Sequence, residues 1–176
     1  MIGVCIAVFG SIVMLGWSME IAWLLNLRPD AVTMKFVTAA SFVVAGLCTS
    51  LQRRSDPLSS HIREGMAVCL GLVQVALLLM GPVVEFETEG AILSPVPNMP
   101  SLATVGCFLL LSGAVIHEEA RDTLAKTIAI ISGVALLGHV LALPRMQWYY
   151  PEVSTAMAIH TAMCFLVMAW DLRRSP

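Results

Sequence analysis

Charged and aromatic residues are scarce in this sequence. Only 12% of its 176 residues are charged and 7% are aromatic, and the formal net charge is −2. A soluble domain carries about 25% charged residues, so the chain lacks the polar surface of a water-soluble domain. It also lacks the excess of positive charge with which proteins bind nucleic acid. We therefore expect no sizeable soluble catalytic domain and no nucleic-acid partner.

The residue patterns of catalytic sites and zinc sites are missing as well. The chain has no carboxylate pair placed for acid–base chemistry, no nucleophile–base set and no phosphate-binding glycine loop. Its five cysteines are widely separated in apolar stretches, and none forms a Cys-x-x-Cys pair. Such cysteines are typical of buried apolar side chains, not of a disulfide framework or a zinc site. We predict a protein that is not an enzyme.

Long apolar runs are what the sequence has instead. Hydrophobic residues make up 58% of the chain, and the mean hydropathy is +0.84. A membrane-spanning helix takes ~20 residues, and it satisfies its own backbone hydrogen bonds in lipid. The pattern predicts an all-α integral membrane protein, one domain over 1–176 with six transmembrane helices. The apolar runs lie at 3–26, 34–51, 65–82, 101–117, 124–143 and 153–171.

The first run is predicted to be a retained span and not a cleaved signal peptide. No basic segment precedes it, and it is longer than the apolar part of a signal peptide.

Lysine and arginine lie mainly on one side of the predicted membrane. With the N-terminus inside, the inner segments hold seven basic residues and the outer segments three. This bias predicts that both termini are cytoplasmic. The inner residues are Arg53, Arg54, Arg63, Arg121, Lys126, Arg173 and Arg174, and the outer ones are Arg28, Lys35 and Arg145.

A short motif occurs twice. Residues 34–42 (MKFVTAASF) and 157–165 (MAIHTAMCF) share Met, Thr-Ala and Phe at the same spacing, and a Leu-Gly pair precedes each, at 15–16 and 137–138. A looser third copy has its Leu-Gly pair at 70–71. Because each copy holds an even number of spans, all copies have the same orientation. We predict three parallel helical-hairpin repeats, at about 1–54, 62–118 and 122–174.

Polar side chains inside the runs are predicted to share one layer near the outer surface. At ~1.5 Å per helical residue, this layer lies roughly 6–12 Å deep. Ionisable residues inside a membrane are candidates for function, so the layer predicts an outer-leaflet pocket for a small amphipathic ligand. Its residues are Glu20, Gln74, His139 and His160, with Thr38, Thr104 and Thr161 at the same depth, and Trp148, Tyr149 and Tyr150 as a lid or as interface anchors.

The same residues also have structural interpretations, which the sequence leaves open. His139 could bond to a backbone carbonyl or to Thr161, and Glu20 could extend outward to water. Threonines on a spanning helix are typical of helix packing. We expect no cofactor, but His139 and His160 could be axial ligands of haem b, and a quinone head group could also contact the layer.

One longer pattern resembles a known family. It consists of Leu15, Gly16, Trp17, Leu27, Pro29, Met34, Thr38, Ala39, Phe42 and Gly46. The pattern is similar to the integral membrane sensor domains at the N-termini of bacterial PAS-containing histidine kinases and diguanylate cyclases. The resemblance is clearest over 10–54, recurs at 157–174, and implies a multi-pass sensor in the bacterial inner membrane. Such domains lead into a cytoplasmic output module, whereas this sequence stops at Pro176, so we expect a free-standing domain.

Three functions follow as hypotheses. The first is a sensor or adaptor that binds an amphipathic ligand and couples to another membrane protein or to a second copy of itself. The second is an accessory structural subunit of a respiratory or photosynthetic membrane complex. The third is a redox protein that binds haem or quinone. Membrane lipids are expected partners in all three.

Overall fold

The protein is helical wherever its structure is described. A computed structural model describes residues 1–25, 32–52, 54, 56–87, 99–148 and 155–174, and no strand occurs within these ranges. These ranges hold six long helices and one short helix, with 3-10 turns at Glu118–Ala120 and Pro144–Gln147. The helices are α1 (Ile2–Ser18), α2 (Ala22–Leu25), α3 (Phe36–Leu51), α4 (Pro57–Glu87), α5 (Leu102–Ile116), α6 (Arg121–Val140) and α7 (Ile159–Arg174).

Two stretches in the described part of the chain are long and apolar enough to cross a membrane. They are Pro57–Met80, of 24 residues, and Glu118–Val140, of 23 residues. Only 22% and 28% of their apolar windows are buried in the protein, whereas the core helix of a soluble protein is mostly buried. The helices α1, α3 and α5 are apolar but shorter. The composition and the exposed apolar surface together indicate a membrane protein.

Consecutive long helices pack as antiparallel pairs. Extensive contacts join α1 to α3, α4 to α5, and α6 to α7. Further contacts join α3 to α4 and α5 to α6, and α7 packs against α1 to close the ring. The second helices of the three pairs, α3, α5 and α7, also contact one another. These three helices therefore form the centre of the bundle, with α1, α4 and α6 around them.

Three phenylalanine rings meet at this centre. Phe42 of α3, Phe108 of α5 and Phe165 of α7 have ring centroids 4.8 to 4.9 Å apart in all three combinations. All three side chains are fully buried. Aromatic pairs at tilted and edge-to-face angles contribute about 0.5–1.5 kcal/mol each beyond their buried area. The rings fix the three helices at a common level along the bundle.

The first pair, α1 and α3, is held by glycine contacts. A Cβ atom at Gly46 would overlap the carbonyl oxygen of Gly3 and lie 2.6 Å from the backbone nitrogen of Ala7. One at Gly10 would lie 2.7 Å from the carbonyl oxygen of Ala39. Small residues allow this close backbone approach between helices in lipid, where no hydrophobic force drives them together.

At one end of the bundle, buried and partly buried polar groups link the end of α3 to the start of α6. Arg121, at the start of α6, donates through Nη2 to Glu118 Oε1 at 2.9 Å. With the Gln52 amide turned so that its oxygen faces the guanidinium, Arg121 also donates to it from Nε at 2.9 Å. Gln52 follows the last residue of α3. We call this region, with Gln52, Arg63, Arg121, Asp122 and Arg173, the charged end.

The helix α4 begins at the charged end with a capped first turn. The hydroxyl and the backbone N–H of Ser59 donate to the Asp56 carboxylate at 2.8 and 2.9 Å. These hydrogen bonds, the hydroxyl first, hold the pKa of Asp56 below its usual value. A carboxylate before the first turn accepts hydrogen bonds from free N–H groups, and its negative charge interacts favourably with the positive end of the helix dipole.

The helix α4 is longer than the sequence predicted. It continues to Glu87, beyond the predicted run of 65–82, so part of the predicted outer loop is helical. The remainder of that loop, at 88–98, lies outside the described residues. The Leu-Gly pair of the looser third copy, at 70–71, lies in the middle of α4.

We predict opposite effects for two glycine-to-alanine substitutions. Alanine in a helix is favoured over glycine by roughly 0.5–1 kcal/mol. Gly133→Ala should therefore raise the free energy of unfolding, because no atom lies within 4 Å of the added Cβ. Gly46→Ala should lower it by about 1–3 kcal/mol, the usual cost of overpacking. The free energies of unfolding of both variants are measured in the same detergent. Equal changes in the two variants would contradict the close α1–α3 contact.

Candidate functional site

The helices α1 and α6 end in the same way. The N–H of Ile21 bonds to the carbonyl oxygen of Gly16 at 2.9 Å, and the N–H of Leu143 bonds to that of Gly138 at 2.9 Å. Each bond spans five residues around the C-terminus, which is the pattern of a Schellman motif. Both accepting glycines belong to the Leu-Gly pairs that the sequence singled out. These pairs thus mark two equivalent helix ends.

The glycines are needed because the chain folds back over them. A Cβ atom at Gly16 would lie 2.7 Å from Leu24 Cβ, and one at Gly138 would lie 2.7 Å from Met146 Cβ. In both turns the contacted residue comes eight positions later. The turns therefore pass so close to the helix ends that any side chain at these two positions would clash.

Glu20 lies at the residue of the first turn that adopts the left-handed conformation. Its φ is 55°, and Ala142, at the corresponding place in the second turn, has φ 53°. Glycine normally occupies this position, because an L-residue there costs roughly 1–2 kcal/mol. The Glu20 side chain is exposed. The turn thus holds a carboxylate outward in a backbone conformation that favours glycine.

His139 and Trp17 make equivalent hydrogen bonds. Each directly follows the glycine of its Leu-Gly pair. The Nε1–H of Trp17 donates to the carbonyl oxygen of Met34 at 2.9 Å, and His139 Nε2 donates to that of Met157 at 2.7 Å. Because a carbonyl oxygen only accepts, His139 carries its proton on Nε2. The sequence left open whether His139 bonds to a backbone carbonyl or to Thr161. The structure shows the bond to a backbone carbonyl.

Gln74 has different surroundings. It is fully buried in the middle of α4, and its Nε2 donates to Ser41 Oγ of α3 at 3.0 Å. Its Oε1 has no hydrogen-bond partner among the described residues. Leaving a buried polar atom unpaired costs about 1–3 kcal/mol. Such an atom calls for a specific explanation.

His160 is buried between α7 and α1. Its ring packs edge-on against Phe9, with centroids 6.2 Å apart. Nε2 has no hydrogen-bond partner within the described ranges. The three threonines of the predicted layer, Thr38, Thr104 and Thr161, are buried one turn before the three central phenylalanines. Thr104 has a local partner, since its hydroxyl lies 2.7 Å from Ser101 Oγ.

Trp148 is anchored and half-buried. Its Nε1–H donates to the carbonyl oxygen of Ile131 at 3.1 Å, and its ring packs against the core. Its φ of 61° ends the 3-10 turn at Pro144–Gln147. Tyr149 and Tyr150, predicted with it as a lid or as anchors, lie outside the described residues.

A groove opens at the end of the bundle where α1 ends and α3 begins. Its volume is about 270 Å³, and Trp17, Ser18, Phe36 and Val37 line it. Glu20 follows Ser18 by two residues. We call this region, with Trp17, Glu20, His139 and Trp148, the aromatic end. The groove has an aromatic and aliphatic wall and a carboxylate in the adjoining turn.

The predicted site residues therefore occupy several separate places among the described residues. Glu20 and His139 lie at helix ends, Gln74 lies mid-helix between α3 and α4, and His160 lies between α1 and α7. No group of three or more His, Cys, Asp or Glu side chains in the described ranges is placed to hold a metal ion. Sequence reasoning missed Ser41 and Ser112, whose only signal is a hydroxyl group within an apolar run.

Comparisons with protein families, with curated proteins and with solved structures found no match.

We predict that the N–H of Trp17 stabilises the first turn. Trp17→Phe retains an aromatic ring but leaves the Met34 carbonyl oxygen without this donor, so the free energy of unfolding should fall by about 1 kcal/mol. Trp170→Phe is the matched control, because the Trp170 ring is half-exposed and instead stacks under the guanidinium of Arg174. Chemical unfolding in detergent compares the two variants. Equal stabilities would show that the Trp17 hydrogen bond contributes little.

Proposed function

We propose that this chain is an integral protein of the bacterial inner membrane with six spans in three parallel hairpins and cytoplasmic termini. The antiparallel packing of consecutive helices and the central phenylalanines support three hairpins. The charged end carries Arg63, Arg121 and Arg173, which supports a cytoplasmic position for it.

The spacing of buried residues in the outer helices also supports the repeat. Each of these helices buries a small residue, a large aliphatic residue three positions on, and a third residue four positions further. The three sets are Gly3, Ile6 and Gly10 in α1, Ala67, Leu70 and Gln74 in α4, and Ala125, Ile128 and Ser132 in α6. In this alignment Gln74 corresponds to Gly10 and to Ser132. A shared burial pattern is expected of copies that pack in the same way.

Large apolar side chains face outward on several helices, as lipid contact requires. Leu72 and Leu79 of α4 and Ile130 of α6 are each more than three-fifths exposed. A soluble monomer rarely exposes large contiguous apolar patches. Membrane lipids are therefore the first partners that we propose.

We propose that the protein is a non-catalytic sensor or adaptor that binds an amphipathic molecule at the aromatic end. The groove lined by Trp17, Ser18, Phe36 and Val37 is the observation that carries this proposal. Its apolar wall suits an acyl or ring portion, and Glu20 suits a hydrogen-bond donor or a cation at the water-facing end. The groove lies within the α1–α3 hairpin, so a ligand bound there could change how this hairpin packs against the other two. The ligand would do so only to the extent that it binds one packing arrangement more tightly than the other. Another membrane protein or a second copy would then receive the change.

An accessory subunit of a respiratory or photosynthetic complex is the second proposal. The lipid-facing surface of α4 supports it, because the contacts of this helix with other described helices are those with α3 and α5. The haem proposal has less support. His139 Nε2 is already engaged by Met157, and His160 lies against α1.

We predict that Glu20→Gly removes a bound amphiphile while it preserves the fold. Glycine suits the left-handed conformation at this position, so the free energy of unfolding of the variant should be higher by roughly 1 kcal/mol. The carboxylate is nevertheless lost. Native mass spectrometry of protein extracted gently from its own membrane should show an added mass on the unsubstituted protein and not on Glu20→Gly.

Ala142→Gly is the matched control, because it makes the same backbone change in the second turn without removing a charge. It should gain stability and retain the added mass. An unliganded protomer within a large assembly of other subunits would favour the accessory-subunit proposal. An added mass retained by Glu20→Gly would contradict a ligand contact at Glu20.

A further inference from the structure

A second group of polar side chains lies away from the aromatic-end groove. It lies at the interface of α4 with α3 and α5. Among the described residues, Gln74 Oε1 and Ser112 Oγ are buried without a hydrogen-bond partner. Gln74 is fully buried and Ser112 is 4% exposed. Two unpaired polar atoms on adjoining helices indicate a shared occupant more strongly than either atom does alone, because natural interiors pair almost all such groups.

A small recess adjoins one of these atoms. Gly71 faces Ser112, and a Cβ atom added to it would lie 3.6 Å from Ser112 Cβ and 3.7 Å from Ser112 Oγ. These are ordinary contact distances, so a methyl-sized space lies beside the hydroxyl. Gln74 comes three residues after Gly71, and side chains at this spacing are neighbours on a helix surface. A single oxygen atom with its proton has the size of this space.

We propose that the recess formed by Gly71, Gln74 and Ser112 binds one hydroxyl group. Its proton is donated to Gln74 Oε1, and its oxygen accepts from Ser112 Oγ. With the amide oriented so that Nε2 donates to Ser41 Oγ, Oε1 is left as an acceptor. The occupant then supplies a donor, which esters, ethers and oxidised quinones lack. A water molecule and the hydroxyl of a membrane-soluble alcohol share the required chemistry.

The occupant would join three helices through one side chain. Gln74 Nε2 already links α4 to Ser41 of α3, and the bound hydroxyl adds a link from Gln74 to Ser112 of α5. The proposal depends on these contacts alone and not on a ligand in the groove.

Infrared spectroscopy of the Gln74 side-chain carbonyl tests the proposal. The chain has three glutamines, Gln52, Gln74 and Gln147. In protein labelled with carbon-13 at the glutamine amide carbon, the difference from Gln74→Leu assigns the Gln74 band. The protein is stripped of native lipid and placed in bilayers of synthetic phosphatidylcholine, where we expect Gln74 at the frequency of a hydrogen-bonded carbonyl.

Gly71→Ala should move that band to the frequency of a free carbonyl, because its methyl group fills the recess without a clash. Gly106→Ala is the control, since no atom lies within 4 Å of a Cβ there. It should leave the band in place. A band that Gly71→Ala does not move would overturn the proposed location.

Addition of 1-octanol, with octane as the matched compound without a hydroxyl, separates the two sources. A hydrogen-bonded band before any addition identifies water as the occupant. A free band that octanol shifts and octane does not identifies a membrane alcohol. A free band that neither compound moves would overturn the proposal.

Discussion

The contact among three phenylalanine rings is the constraint on which the rest of the bundle depends. Each of Phe42, Phe108 and Phe165 touches the other two, so none of the central helices can shift along its axis without breaking two aromatic contacts. The rings thereby set a common level for α3, α5 and α7. Each outer helix then needs only to be placed against its own central partner.

That placement depends on small residues and on hydrogen bonds, because apolar surface gains little by leaving lipid for protein. The α1–α3 pair uses backbone contact at Gly3, Gly10 and Gly46. The α6–α7 pair has Asp122 with Arg173 at the charged end and His139 with Met157 at the aromatic end. An exposed ion pair contributes little, so the partly buried hydrogen bond of His139 is the more important of these two links.

The helical, apolar character of the chain could be predicted from composition, because few charged residues and long apolar runs admit few other structures. The Leu-Gly pairs at 15–16 and 137–138 were predicted to be equivalent positions in two repeats, but the sequence did not show that α1 ends directly after the first pair, at Ser18 and not at 26. The close return of the chain at both pairs requires glycine. The pair at 70–71 lies within α4, because a Leu-Gly pair in an apolar helix does not by itself end the helix. Depth was counted from the predicted ends of the apolar runs, so it could not show that Gln74 lies mid-helix while Glu20 and His139 lie at helix ends. For Gln74 the reason is that α4 continues to Glu87, beyond the end of its apolar run.

Polarity alone is therefore a poor guide to function in this interior, and the equivalent positions show why. His139 does in its turn what Trp17 does in the first, so the property that both residues share is a ring N–H directed at a carbonyl oxygen. A donor of this kind is required by the turn itself. Gln74 is different, because the corresponding places hold glycine at Gly10 and serine at Ser132. Packing is satisfied at these places by a hydrogen atom or a hydroxymethyl group, so the long amide of Gln74 requires an explanation beyond packing.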